Sequence, residues 1–337
     1  MHVGAGKCGS SSLQSVLSKE PVFYSREGTR YEYVSLKKEG ILKRGEECLA
    51  EAKKSAFGYT SSVSVRDFFS EEAVPVLASR LKAIADEGVT PVFSYEGWIN
   101  ESARFSDRKV FEKLGLTPHI VIFVRPQVPW INSSWWQWGA WSGKEFPVWA
   151  NKFKKSGLWA ETVAKWNEVP AVRNVTVFPV SRNVVESFYE MLGADLPFMA
   201  TQRKSNVTLD AGTLRLFQKY RKTRAEKLGA GIDFVLERNR VGGNGSAPWV
   251  LESKIVSDLI DFFREDNKVL LSLVDEEIRE GISGDAQWWE ASAFSSREAE
   301  PPGPVDLDPR KTGEIAIKAI AALARLDKKA RAGKRSK

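Results

Sequence analysis

Three glycines, a lysine and three serines crowd into the first twelve residues, directly after a short apolar start. Gly4, Gly6, Lys7 and Gly9 lead into Ser10, Ser11 and Ser12, and from there Leu13, Val16 and Leu17 recur at helical spacing. Few local structures satisfy that order. Glycines let the backbone turn tightly, and the first turn of a helix leaves N–H groups without intrahelical partners. Strand, tight loop and helix in succession make a cradle for a phosphate or sulfate, to which Lys7 adds a full charge and the serines add hydroxyl donors.

The cradle differs from the loop of the common ATPases and GTPases. Their motif, G-x-x-x-x-G-K-[ST], places lysine straight after the second glycine. Gly4 and Gly9 have that separation, yet Ser10 holds the lysine position and Lys7 lies inside the loop. The bland alternative is a Gly/Ser-rich turn ahead of a helix.

A chain of 337 residues with 42% hydrophobic and 28% charged content has the composition of a soluble globular protein. No run approaches the roughly 20 apolar residues of a membrane span, and no apolar leader precedes the loop. Two cysteines, Cys8 and Cys48, make no disulfide framework, so a cytoplasmic location is expected. The formal charge of +7 favours anionic partners, although part of it sits in the C-terminal tail.

Residues 20–60 are mixed and charged and read as a surface excursion with a helix over 45–56. A helix over 70–86 starts with Ser70 as N-cap, and Gly88 follows as its stop. Residues 90–95 read as a buried strand ending at Glu96, and 107–114 as a short helix. Residues 119–124, an unbroken apolar run, have the pattern of a central parallel strand that stops at Arg125-Pro126. A tryptophan-dense stretch, 130–141, begins as helix. Helix over 158–169, strand over 174–179 and helix over 183–192 follow. Strands alternating with helices predict an α/β fold with a central parallel sheet. In such sheets ligands bind at the carboxyl ends of the strands, where the loop, Glu96 and Arg125 all fall.

Beyond residue 200 the pattern is helical, over 209–228, 250–264 and 266–280, with a flexible break at 242–246. Residues 291–310 read as a linker. A short helix over 312–326 precedes a basic tail, read as disordered and solubilising, with peripheral membrane contact as its other reading.

At this point the chain resembles a sulfotransferase dependent on 3′-phosphoadenosine 5′-phosphosulfate (PAPS), of the bacterial kind that sulfates carbohydrates. Four landmarks carry the resemblance over about residues 1–275. Residues 3–14 resemble the 5′-phosphosulfate loop, with its lysine inside. Residues 121–133 resemble the 3′-phosphate motif, an arginine at a strand end and a serine eight residues later. Residues 203–209 resemble an Arg/Asn-containing segment before the late helices, and residues 262–267 a closing motif without an evident physical role. Serines replace the usual threonines at 10 and 11, and Cys8 departs from the pattern.

The resemblance implies a P-loop-like three-layer fold with a helical C-terminal part, spanning one domain over 1–290. It implies donor binding by Gly6, Lys7, Cys8, Gly9, Ser10, Ser11, Ser12, Arg125, Ser133 and Arg203. It implies a hydroxylated acceptor, a glycan or glycoconjugate, with 3′-phosphoadenosine 5′-phosphate as product and neither metal nor nucleic acid involved. Arg125 suits a phosphate because a guanidinium fork matches phosphate oxygens. Lys7 would stabilise the charge growing on the leaving phosphate, and Glu96 resembles the glutamate base of carbohydrate-type members. His2 and His119 are set aside as structural. Of Trp130, Trp135, Trp136, Trp138 and Trp141, one or two are expected near substrate and the rest in packing. A small-molecule or nucleoside kinase and a non-catalytic anion- or polysaccharide-binding protein are the competing readings.

Overall fold

Leu13, Val16 and Leu17 are buried along one face of the first helix, Ser10–Lys19, as their spacing requires. The computed structural model describes residues 1–180, 183–197, 209–223, 231–239, 241 and 246–335. It is a mixed α/β structure rich in helix. The strands are β1 (Val22–Tyr24), β2 (Arg30–Leu36), β3 (Leu42–Arg44), β4 (Val89–Val92), β5 (His119–Val124) and β6 (Asn174–Pro179).

β2 pairs antiparallel with β1 and β3 and parallel with β4, while β5 and β6 pair in parallel from His119 opposite Asn174 to Val124 opposite Pro179. Residues 1–3 join the two sheets. The His2 amide donates to the Phe93 carbonyl at 2.9 Å, and the Val3 amide to Val121 at 3.1 Å. In return the Tyr95 amide donates to His2 at 3.2 Å, and Val121 to Met1 at 2.8 Å. Both bridges of His2 are parallel. The hydrogen-bonded order is therefore β2, β4, residues 1–3, β5, β6, all running one way. The loop after Val3, Glu96 after β4 and Arg125 after β5 consequently leave the same edge.

β5 and β6 fall where the apolar runs place them, and the expected helices at 70–86, 158–169 and 183–192 form within a few residues of those bounds. The helix starts at Ala73 with Glu72 at its N-cap position, and the Ser70 hydroxyl still accepts from the Ala73 amide at 3.2 Å. Residues 20–60 are not a surface excursion. β2 is a buried strand, hidden in sequence by Glu32, whose side chain is only 4% exposed. Arg44 of β3 grips that carboxylate with two hydrogen bonds of 2.8 and 2.7 Å, and a forked pair of this kind lets a charge sit inside a sheet. The helices expected at 250–264 and 266–280 are instead Ser253–Ser272, unbroken, and Glu276–Ser283. No glycine or proline interrupts 253–272, and neighbouring charges alone do not stop a helix.

The chain divides into two units, each discontinuous in sequence. The first comprises 1–130, 154–205 and 257–293 and holds the strands; the second comprises 131–153, 206–256 and 294–337. In the second, Arg215 of helix Ala211–Lys219 is buried, with its guanidinium 4.9 Å from the Trp136 ring. It donates to the Gly303 carbonyl at 2.8 Å and to Glu300 at 3.2 Å, while Gln218 donates to the Pro302 carbonyl at 2.7 Å. Residues 300–303 are thus clamped to this helix, not a free linker. The C-terminal helix is also longer than expected, running from Pro309 to Arg335.

Candidate anion-binding site

The loop after residues 1–3 is shaped by two left-handed residues. The Cys8 amide donates to the Ala5 carbonyl at 3.2 Å, closing a turn whose third residue, Lys7, has φ +64°. Such a φ is ordinarily left to glycine and costs a side-chain-bearing residue about 1–2 kcal/mol. Gly9, φ +84°, then caps the helix that begins at Ser10. Two donors occupy the carbonyls of this turn. Trp130 Nε1 donates to Gly6 O at 2.9 Å, and Arg125 Nη1 to Lys7 O at 3.1 Å. Oxygens that would repel an anion are thereby engaged, and left-handed residues at alternate positions, Lys7 and Gly9, suit the gathering of N–H groups into a concavity.

A buried polar cluster lies beneath the loop. His2, fully buried, shares a 2.8 Å hydrogen bond through Nδ1 with Ser94 Oγ, which also accepts from Gln14 Nε2 at 3.1 Å. The other ring nitrogen, Nε2, is buried with no hydrogen-bond partner. It faces Gly4: a Cβ there would overlap Ser10 Oγ and come within 2.6 Å of His2 Nε2. Burial holds the His2 imidazole down to about 3, so it is neutral at physiological pH.

The polar groups of the strand ends lie within electrostatic reach of one another. Burial raises the Glu96 carboxyl above its ordinary value, and the Lys7 ammonium partly opposes the shift. Burial pushes the Cys8 thiol up to about 12, with Arg125, Glu96 and Lys7 all within electrostatic reach of it. Arg125, half-buried, is lowered from its ordinary value by desolvation. Lys7, Glu96 and Arg125 therefore form one neighbourhood, as the strand ends predict. The nearby acid Glu101 is committed elsewhere: it accepts from Ser64 at 2.6 Å, the Val65 amide at 2.9 Å and Arg104 at 2.8 Å.

Within the loop the expected residues take different parts. Gly6 and Lys7 offer carbonyls to Trp130 and Arg125, and Gly9 starts the helix. The Cys8 thiol is fully buried and its amide closes the turn, so its place here is structural. Ser10 is buried with its hydroxyl directed to Ala5 O at 3.4 Å. Ser11 Oγ lies 3.3 Å from the Tyr59 hydroxyl, and Ser12 donates its amide to Gly9 O at 3.0 Å. Ser133 is in the last turn of helix Gln127–Ser134, within the second unit. Arg203 lies outside the described residues.

Tyr59 is the residue that sequence reasoning missed. Its hydroxyl meets Ser11, and Glu96 contributes to raising its pKa, after burial. The next residue pins it: the Thr60 amide donates to Ser18 Oγ at 3.0 Å, and the Thr60 carbonyl accepts from Tyr33 at 2.8 Å. No periodicity marks residues 58–60, so the only available signal was a tyrosine beside a glycine.

Residues 262–267 acquire a physical role as a brace behind Arg125. Asp266 accepts from the amides of Ala160 and Glu161 at 3.0 and 3.2 Å, capping the helix Trp159–Asn167. Trp159 Nε1 then donates to Arg125 O at 3.0 Å, and buried Asn267 accepts from Gln127 Nε2 at 2.6 Å. Of the five tryptophans, Trp130 touches the loop; Trp135, Trp136 and Trp141 are buried, and Trp138 packs on Phe153 at 5.7 Å. Among the described residues, no cluster of three or more His, Cys, Asp or Glu side chains is arranged to hold a metal ion. No protein-family model, curated protein or solved structure matches the chain.

Proposed function

We propose that this chain is a sulfotransferase that moves a sulfuryl group from PAPS to a hydroxyl of a carbohydrate or related acceptor. The observation that carries the reading is the glycine-turned loop at the head of helix Ser10–Lys19, which places its own Lys7 within electrostatic reach of Glu96 and its Lys7 carbonyl against Arg125. The parallel order β2, β4, residues 1–3, β5, β6 supports a P-loop-like sheet with the cradle on its central strand. A side chain at Gly4 would collide with the buried Ser10 hydroxyl and the His2 ring beneath the loop, so the close approach of the loop to that cluster depends on glycine there.

PAPS supplies an activated sulfuryl group, and the protein's residues do the rest. The loop amides and Lys7 hold the 5′-phosphosulfate, and Arg125 binds the 3′-phosphate. Glu96 takes the proton of the acceptor hydroxyl as that oxygen bonds to sulfur. The bond from sulfur to the bridging oxygen breaks, and its electron pair stays on the 5′-phosphate, where Lys7 stabilises it. Burial suits Glu96 for this, since a raised pKa makes a stronger base.

A kinase would need a lysine where Ser10 stands, and Ser10 is buried with its hydroxyl on Ala5. Isothermal titration with 3′-phosphoadenosine 5′-phosphate, ATP and AMP tests the proposal. Tight binding of the 3′,5′-bisphosphate alone is expected, and preference for ATP would overturn it. Radiolabelled donor with a panel of hydroxylated acceptors then separates transfer from binding alone.

A further inference from the structure

The whole positive excess of the chain lies in its last helix and tail. Residues 310–337 hold ten Lys and Arg against two acids, Glu314 and Asp327, a balance of +8. The full chain carries +7, so residues 1–309 together carry −1. Most of the basic segment is folded: Pro309–Arg335 is one helix of 27 residues, about 40 Å long.

Within the second unit, one side of this helix is held and another is not. Ile315 packs at Gly212 of helix Ala211–Lys219, and Ala322 is buried on the same side. Ile317, Ile320 and Leu323 instead stand 66%, 60% and 65% exposed. At 3.6 residues per turn these three, with exposed Ala316 and Ala324, occupy about a third of the circumference. Single exposed aliphatics need no explanation, but a contiguous row does. Lys318 and Arg325, seven residues apart, flank the row on one side, and Lys328, Lys329, Arg331, Lys334 and Arg335 follow it.

Charge decides among the partners such a face could take. A second copy of the helix would bring another strongly positive balance against the first and be repelled. A nucleic acid would engage the cations and have no use for three aliphatics. An anionic lipid surface satisfies both features, because headgroups attract the cations and the acyl boundary takes the aliphatics. No described helix is long and apolar enough to cross a membrane. We propose that Pro309–Arg335 lies flat on an anionic bilayer surface, inserting Ile317, Ile320 and Leu323 and setting its basic end among the headgroups. The proposal is independent of the sulfotransferase reading.

Co-sedimentation of the full chain with vesicles tests it. Vesicles of phosphatidylcholine alone are compared with vesicles containing about a third phosphatidylglycerol, at low and at physiological salt. Binding to the anionic vesicles is expected to be at least about tenfold tighter and to weaken with salt. The double variant Ile320→Asp/Leu323→Asp should bind them at least about tenfold less well than the parent. It should also keep the parent melting temperature, because both side chains face water in the folded chain. Equal binding to both vesicle types, or none to either, would overturn the proposal. So would a double variant that binds like the parent, since charge alone would then suffice. A dimer that the double variant abolishes, in a protein that ignores vesicles, would assign the face to a second copy instead.

Discussion

Arg125, at the end of β5, donates a 3.1 Å hydrogen bond to the backbone carbonyl of Lys7, 118 residues away in the chain. The guanidinium thus belongs partly to the loop it was expected to stand apart from. A planar, permanently charged fork can brace a carbonyl with one arm and present others to a phosphate. The two roles make different predictions.

Arg125→Ala should weaken binding of 3′-phosphoadenosine 5′-phosphate by about 2–3 kcal/mol and bring it to the level of AMP. Titration calorimetry on both ligands reads this directly. Should both nucleotides lose affinity in parallel, Arg125 is a brace for the loop and the 3′-phosphate is bound elsewhere.

Lys7 combines a charge with a left-handed backbone, and two substitutions separate these properties. Lys7→Ala and Lys7→Gly should both lower kcat by on the order of 100-fold, because the leaving phosphate loses its cation. Lys7→Gly should be the more stable of the pair by about 1 kcal/mol, since only glycine takes φ +64° without strain. Thermal melts decide the second point, and an alanine variant at least as stable would refute the strained turn.

Glu96→Gln should leave donor binding intact and reduce turnover roughly 10²- to 10⁴-fold. Stability supplies a second readout. The folded state raises this carboxyl, so it binds the proton more tightly than the unfolded chain does. The resulting stabilisation is full below the unfolded pKa and is lost as pH rises through the folded one. Once the pH is above the folded-state value the ionised, desolvated carboxylate is a burden, and there Glu96→Gln should be more stable than the parent. The gap should close on acidification below the ordinary glutamate range, and denaturant melts across pH would show its absence.

His2 predicts the opposite acid behaviour. Its folded pKa is held to about 3 against an ordinary 6.5, so the unfolded chain takes up the proton first. Its contribution is therefore complete above pH 6.5 and declines toward pH 3, with a slope of up to about 1.4 kcal/mol per pH unit. His2→Asn preserves a donor or acceptor near Ser94 and has nothing to titrate. Its stability should lack that slope, and an unchanged profile would mean another group dominates acid unfolding.

How much of this was legible in the chain depended on whether the signal was local. An unbroken apolar run such as residues 119–124 has one stable use, a strand covered on both faces, and the structure puts it there. The tight loop leading into the first helix was equally readable, because its glycines and the apolar spacing of the helix act within a few residues. β2 was not, because Arg30 and Glu32 look solvated until Arg44, from another strand, is known to neutralise Glu32. Tyr59 escaped for a similar reason: its place beside Ser11 is set by the hydrogen bonds that the residue after it makes, its amide donating to Ser18 and its carbonyl accepting from Tyr33.

By itself, then, the sequence determined the strand–loop–helix at the start of the chain, the strand ends bearing Glu96 and Arg125, and the excess of positive charge near the end. Backbone sterics and helical or strand periodicity act over a few residues, and those features need nothing more. Tertiary structure alone decided that Arg125 grips the Lys7 carbonyl, that Cys8 is packing, that Asp266 and Asn267 brace Arg125 from behind, and that Ile317, Ile320 and Leu323 remain in water. Each of these depends on a partner far away in the chain, and burial and hydrogen-bond pairing are properties of the folded neighbourhood rather than of the residue that experiences them.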